Sequence, residues 1–286
     1  MGTREKFLLV EQELNRSFIN REEELRGLLL GLLSKQHVLF LGPPGTAKTL
    51  MVQAWAQACG LKFFRRLMHS DLAMDEVVGA VDIMAYQQDK VYKRYTKGKL
   101  PEAELAVLDE VYKGRPGILN ALLSIMEERV FDNDGLEQEC PLISLVGCSN
   151  EAPGEEDNLD AFHDRLLLRY VVGYLDNQAD LIRLLDLPPP RVSNQINRTD
   201  LETAWAEIWS MRRSPDTARA IAVMWEGLRA EDIQPSDRRT RQLDRVMACE
   251  SWLRGCTQIE PESLEIAQHI MWSKVEQMKI VKRVVL

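Results

Sequence analysis

The octapeptide Gly42-Pro43-Pro44-Gly45-Thr46-Ala47-Lys48-Thr49 constrains this chain more than any other feature. It follows the apolar run His37–Leu41 and precedes Leu50–Cys59, a helical segment that Gly60 closes. A glycine-rich loop between a buried strand and a helix aims backbone N–H groups and the positive helix end at one point, where phosphate oxygens bind. Lys48 is then expected to reach the β- and γ-phosphates and Thr49 to ligate Mg²⁺. Gly42 through Leu50 are the expected nucleotide-binding residues, with ATP and Mg²⁺ as the implied cofactors. Ala47 departs from the pattern, which has Gly there. A methyl group is tolerated at that position if the backbone is helical.

A second signal supports the first. Leu105–Leu108 is an apolar strand ending in the acids Asp109 and Glu110. This places two carboxylates at the carboxyl edge of the sheet, where open α/β folds bind nucleotides. Asp109 is expected to hold the Mg²⁺ shell and Glu110 to polarise the attacking water. Without the phosphate loop, such a pair would more often be a helix cap.

Leu61–Leu67 and Leu142–Gly147 are further short apolar runs between helical segments, which predicts an α/β fold with a parallel sheet flanked by helices. The prolines Pro188, Pro189 and Pro190 interrupt this alternation. Beyond them, Asp200–Arg213, Thr217–Ala230, Arg238–Arg254 and Pro261–Arg283 read as helices. Trp205, Trp209, Trp225, Trp252 and Trp272 are available for a core there. The expected division is an α/β nucleotide-binding domain over residues 1–187 and a small all-α lid over residues 188–286.

Charge limits the partners. A formal net charge of −8 argues against a broad nucleic-acid footprint, which usually leaves Lys and Arg in excess. Neither Met1–Glu13 nor the short Leu25–Leu33, which carries Arg26, has the pattern of a secretory signal or a membrane span. A cytoplasmic location without membrane insertion is expected. Cys59, Cys140, Cys148, Cys249 and Cys256 form no C-x-x-C pair, so they read as core thiols. His37, His69, His163 and His269 lack metal-ligand spacing and read as structural.

The run from Asp109 through Tyr112-Lys113-Gly114-Arg115-Pro116 to Leu123, followed by Met126-Glu127-Glu128-Arg129, resembles the MoxR family of AAA+ ATPases. The resemblance runs from about Ile19 to the end of the chain, and Ala47 is common in the family. The likeness is closest to the regulatory ATPase variant A subgroup, which Leu100-Pro101-Glu102-Ala103-Glu104 also resembles. That subgroup is longer, with further domains after the lid, so only its AAA+ module is expected here. The resemblance implies that Asn150 is sensor 1, Arg165 in His163-Asp164-Arg165 the arginine finger, and Arg238 in Ser236-Asp237-Arg238 sensor 2. Arg169 and Arg239 are neighbouring alternatives for the two arginine roles.

The family also implies an insertion in helix 2 of the large domain. Val81–Tyr86 and Val91–Tyr95 alternate around the polar turn Gln87–Lys90 and suit a hairpin. A second hairpin is expected within Arg129–Val146 around Asn133-Asp134-Gly135. Tyr86, Tyr92 and Tyr95 either face a pore or partner, or pack against the sheet. The implied function is ATP-driven, chaperone-like remodelling or activation of client proteins by a homo-oligomeric ring, a hexamer in the family, often beside a von Willebrand factor A domain protein. Two alternatives are a nucleic-acid motor or loader, which the acidic balance disfavours, and a scaffold that binds ATP without turnover. The presence of Glu110, Asn150 and Arg165 weakens the scaffold reading.

Overall fold

The apolar runs become strands because only a parallel sheet covered on both faces buries such residues completely. The computed structural model describes residues 2–154 and 159–286. Strands β1 (Val38–Leu41), β2 (Phe63–Leu67), β3 (Leu105–Asp109), β6 (Ser144–Ser149) and β7 (Leu168–Val171) form one parallel sheet, in the order β2-β3-β6-β1-β7. All residues of β1 and β6 are buried. In register, Val38 lies beside Val146 and Leu168, and Leu108 lies beside Gly147. The central strands therefore finish level at one carboxyl edge.

Helices α1 (Thr3–Ser17), α2 (Glu22–Ser34) and α3 (Lys48–Ala58) supply much of the packing. Shorter helices α4 (Met74–Val78), α5 (Ile83–Asp89), α6 (Pro116–Ala121), α7 (Leu123–Glu127), α8 (Asp160–Arg165) and α9 (Gln178–Leu185) connect the strands or follow β7. The C-terminal portion is helical: α10 (Arg198–Ser210), α11 (Pro215–Ala230), α12 (Asp237–Arg254) and α13 (Met278–Val285). Its first three helices begin where Asn197, Ser214 and Ser236 accept the N–H of the third helical residue, each capping an otherwise unpaired donor. Gly255, at φ +86°, ends α12 in the left-handed conformation that glycine adopts without steric cost.

Three expectations fail locally. Val81–Tyr86 is not a strand, because the Asp82 carboxylate accepts the N–H groups of Met84 and Ala85 at 3.0 and 3.1 Å and starts α5. One antiparallel bridge, Val81 to Arg94, is what remains of that hairpin. Pro261–Arg283 is not one helix. It divides into 3-10 turns at Pro261–His269 and Val275–Gln277, followed by α13. The break releases the Trp272 carbonyl, which accepts from Arg169 and Arg239. Trp205, Trp252 and Trp272 are buried, but Trp209 and Trp225 are 55% and 36% exposed and do not build the core. The Lys35 ammonium covers the Trp209 ring at 4.5 Å.

The second hairpin forms as expected, with β4 (Val130–Asp132) paired to β5 (Glu137–Glu139). Asp134 and Gly135 have φ of +62° and +78°, the conformation that tight hairpin turns require. This hairpin is tied to the helix-2 insertion. The Tyr92 N–H donates to Asp134 and the Arg94 N–H to Asn133, both at 2.7 Å. Tyr86, Tyr92 and Tyr95 are exposed rather than packed on the sheet. No helix among the described residues is long and apolar enough to cross a membrane.

Candidate functional site

The phosphate loop leaves the carboxyl end of β1 with backbone shapes that dictate its glycines. A Cβ on Gly42 would lie 2.0 Å from the Val172 carbonyl oxygen, so only glycine permits this approach. Gly45, at φ +80°, is required for conformation rather than space. Ala47 is also left-handed, at φ +64° and ψ +15°. This corrects the expectation of an ordinary helical backbone there. The methyl is accepted in a conformation that disfavours it by about 1–2 kcal/mol.

The loop and the acidic strand converge. Lys48 opens α3, and its ammonium donates to the carbonyls of Gly42 and Pro43 at 2.7 Å each. Burial holds that ammonium below the usual lysine range, while the carboxylates of Glu110 and Asp109 pull the other way. The Thr49 hydroxyl donates to Asp109 Oδ1 at 2.5 Å, bringing together the two oxygens expected at the metal. Because β3 and β6 are in register, Glu110 and Asn150 leave the same edge, and Asn150 Nδ2 donates to Glu110 Oε1 at 2.8 Å. Lys48, Thr49, Asp109, Glu110 and Asn150 line one cavity of about 420 Å³. Arg65, which the sequence reading missed, lines it too and donates to Asp109 Oδ2 at 2.9 Å.

An adjoining cavity of about 650 Å³ shares Gly45, Thr46, Ala47 and Leu50 with this cleft. Phe18, Ile19, Tyr174, Leu181, Leu184 and Pro188 give it apolar walls suited to a base. Sequence reasoning missed these residues as well. They come from two stretches far apart in the chain, around residue 18 and over 174–188, and nothing in their spacing announces a common pocket.

The arginines lie elsewhere. Arg165 ends α8 just before β7, whose first residue is level with Val38 at the start of β1. It therefore sits beyond the amino edge of the sheet, whereas the phosphate loop begins past Leu41. Four strand residues at a rise of about 3.3 Å put roughly 13 Å between the two edges. Arg165 and Arg238 share a cavity of about 260 Å³ with Lys35, Gln36 and His37, the residues leading into β1. The structure thus brings the two arginines to each other and not to their own phosphate loop. Arg165 Nη2 and Arg238 Nη2 both meet the Glu127 carboxylate, Arg238 at 2.7 Å.

Arg169 and Arg239 have different surroundings. Arg169 is fully buried and donates to the carbonyls of His163, Leu166 and Trp272. Burial pulls it down to about 9, still charged at neutral pH. Arg239 is 3% exposed and pairs with Asp164 at 2.7 Å. Arg169 on β7 and Arg239 on α12 both tie the sheet to the C-terminal helices.

A family model described as the MoxR domain in the MoxR-vWA-beta-propeller ternary systems matches residues 5–211. This chain belongs to the MoxR family of AAA+ ATPases. An AAA lid domain model matches residues 195–285 of the MoxR chain. An uncharacterized protein of Methanocaldococcus jannaschii is 34% identical over 96% of this chain and 72% of its own length. Chaperone MoxR1 of Mycobacterium tuberculosis is 29% identical over 66% of this chain and 50% of its own. A solved structure from Cytophaga hutchinsonii, described as that of a candidate ATPase, shares the fold at a TM-score of 0.78. It covers 99% of this chain and 94% of its own at 21% identity.

Proposed function

We propose that this MoxR chain hydrolyses Mg-ATP as a homo-oligomeric ring in which Arg165 and Arg238 complete the neighbouring subunit's site. The observation that carries the reading is the separation of its two halves. The cleft with Lys48 and Glu110 opens at the carboxyl edge, and the arginine pair sits at the amino edge. Head-to-tail association in a closed ring brings one edge to the other.

The donor set fits the nucleotide and its metal. Thr49 and Asp109 offer two adjacent hard oxygens, and Mg²⁺ normally takes its remaining ligands from phosphates and water. When bound, Mg²⁺ neutralises charge on the transferring phosphate. Lys48 turns from its loop carbonyls to the phosphate oxygens. Glu110, oriented by Asn150, accepts hydrogen bonding from the attacking water. The incoming arginines stabilise charge that develops on the γ-phosphate, an effect commonly worth 10³-fold or more.

The output we infer is mechanical work on a client protein beside a partner with a von Willebrand factor A domain. The description of the matched family supports that partner. The test is subunit mixing. Lys48→Ala and Arg165→Ala proteins, each inactive alone, should regain partial ATPase activity when co-assembled, because some interfaces join an intact loop to an intact arginine. No activity at any mixing ratio of co-assembled chains would refute action in trans.

A further inference from the structure

The geometry points to Glu127 as the residue that positions the two arginines for the neighbour's phosphate, an inference that rests on the ring reading above. Glu127 ends α7, and its two carboxylate oxygens face different parts of the molecule. Oε2 takes Arg165 from α8 of the sheet domain, and Oε1 takes Arg238 from α12 of the C-terminal helices at 2.7 Å. Arg165 is further fixed by Nη1, which donates to the Ala161 carbonyl at 2.7 Å. One carboxylate thus aligns two cations carried by different domains.

The surroundings show why alignment needs that charge. Lys35, Arg129 and Arg245 line the same cavity, and Glu127 is the only acid among its lining residues. Like charges gathered at such short range repel, and the two guanidinium groups would splay apart without a common anion. Stability is a poor explanation for the arrangement. Glu127 is itself exposed, and ion pairs at exposed carboxylates contribute little to folding. A carboxylate also has the geometry of two phosphate oxygens, so it holds the pair in the form in which it meets an anion.

Glu127→Gln keeps the shape and removes the charge. It should lower kcat about tenfold and leave KM for ATP within about twofold, since Lys48 and the base cavity at the other edge set ATP affinity. Mixing then assigns the defect to a side of the interface. Co-assembled with Lys48→Ala, the Glu127→Gln chain should regain activity, because its intact loop meets a neighbour's intact arginine cluster. Co-assembled with Arg165→Ala it should not, because both changes damage the same side. The Lys48→Ala and Arg165→Ala mixture is the control. If the control recovers but Glu127→Gln keeps native kcat, or also recovers with Arg165→Ala, Glu127 is not a positioning residue. If the control itself fails among co-assembled chains, the ring reading falls and this inference with it. Should the Gln variant not assemble, Glu127→Asp retains the charge one methylene short and must show the same asymmetry.

Discussion

Arg165 and Arg169 lie four residues apart, as like in sequence as two arginines can be, yet they occupy opposite kinds of environment. Arg165 is partly exposed and meets a carboxylate. Arg169 is fully buried and meets three backbone carbonyls. Arg238 and Arg239 repeat the contrast one residue apart, the first on Glu127 and the second buried against Asp164. A carboxylate partner near the surface can be exchanged for a phosphate, whereas an interior carbonyl stripped of its last donor is left unsatisfied. Chemical type does not distinguish a finger from a strut. Its partners do.

The contrast is sharpest when each pair is cut. Arg165→Ala should reduce kcat about 10³-fold while its thermal melt stays close to that of the native protein. A steady-state phosphate assay alongside calorimetry checks both. Arg169→Met should do the reverse. Trp272 keeps Arg239 as a donor and His163 keeps the Leu166 N–H, so the Leu166 carbonyl is the one left unpaired, and stability should fall by about 1–3 kcal/mol. An Arg169→Met protein that melts normally and hydrolyses nothing would exchange the two assignments.

Two histidines carry a pH version of the same comparison, one behind the arginine cluster and one at the domain junction. His37 Nδ1 accepts the Leu145 N–H at 2.9 Å while Nε2–H donates to the Met126 carbonyl at 2.8 Å. His163 Nδ1 accepts the Tyr112 hydroxyl at 2.6 Å and Nε2–H donates to the Ser273 carbonyl at 3.1 Å. The neutral ring suits both: at His37 a second ring proton would face the Leu145 N–H, and at His163 it would require the Tyr112 hydroxyl to turn and accept. Burial, reinforced by Arg129 at His37 and Arg169 at His163, pushes both down to about 3. The unfolded chain binds these protons below about 6.5, so their contribution is fully present above that pH and declines as pH falls toward 3. Each histidine should take away about 1.4 kcal/mol per pH unit in that window. Urea midpoints between pH 7 and pH 5 measure the slope, and His163→Gln should flatten it by one proton. An unchanged slope would mean that His163 titrates in the native state.

The parts legible in the sequence were those set by neighbours along the chain. The phosphate loop, the acidic strand end and the strand-helix alternation are local patterns, and each became the element it implies. The convergence of Glu110 and Asn150 followed from two strands ending at one edge. The base cavity was not legible, because Phe18, Tyr174 and Leu181 meet through topology alone. The helix-2 insertion misled for a chemical reason: alternation over Val81–Tyr86 predicted a strand, and the Asp82 cap decided for a helix. The break near Trp272 was equally hidden, since it answers to two buried arginines far away in sequence.

The smallest expected effect lies at the carboxyl edge, at a left-handed residue of the phosphate loop. Ala47 and Glu110 both have positive φ, +64° and +53°, and both border the phosphate cleft. Left-handed backbone brings an alanine Cβ against the following carbonyl, a penalty that glycine escapes. Glycine also gives the unfolded chain more freedom, which offsets part of the gain. Ala47→Gly should therefore stabilise the protein by only about 0.5–1 kcal/mol. Lys48 and Thr49 stay in place at the start of α3, so ATPase activity should change by less than about twofold. Urea denaturation read against turnover tests this. If the glycine variant is less stable than the native protein, the loop does not hold Ala47 in the left-handed region, and the strain assigned to this edge is absent.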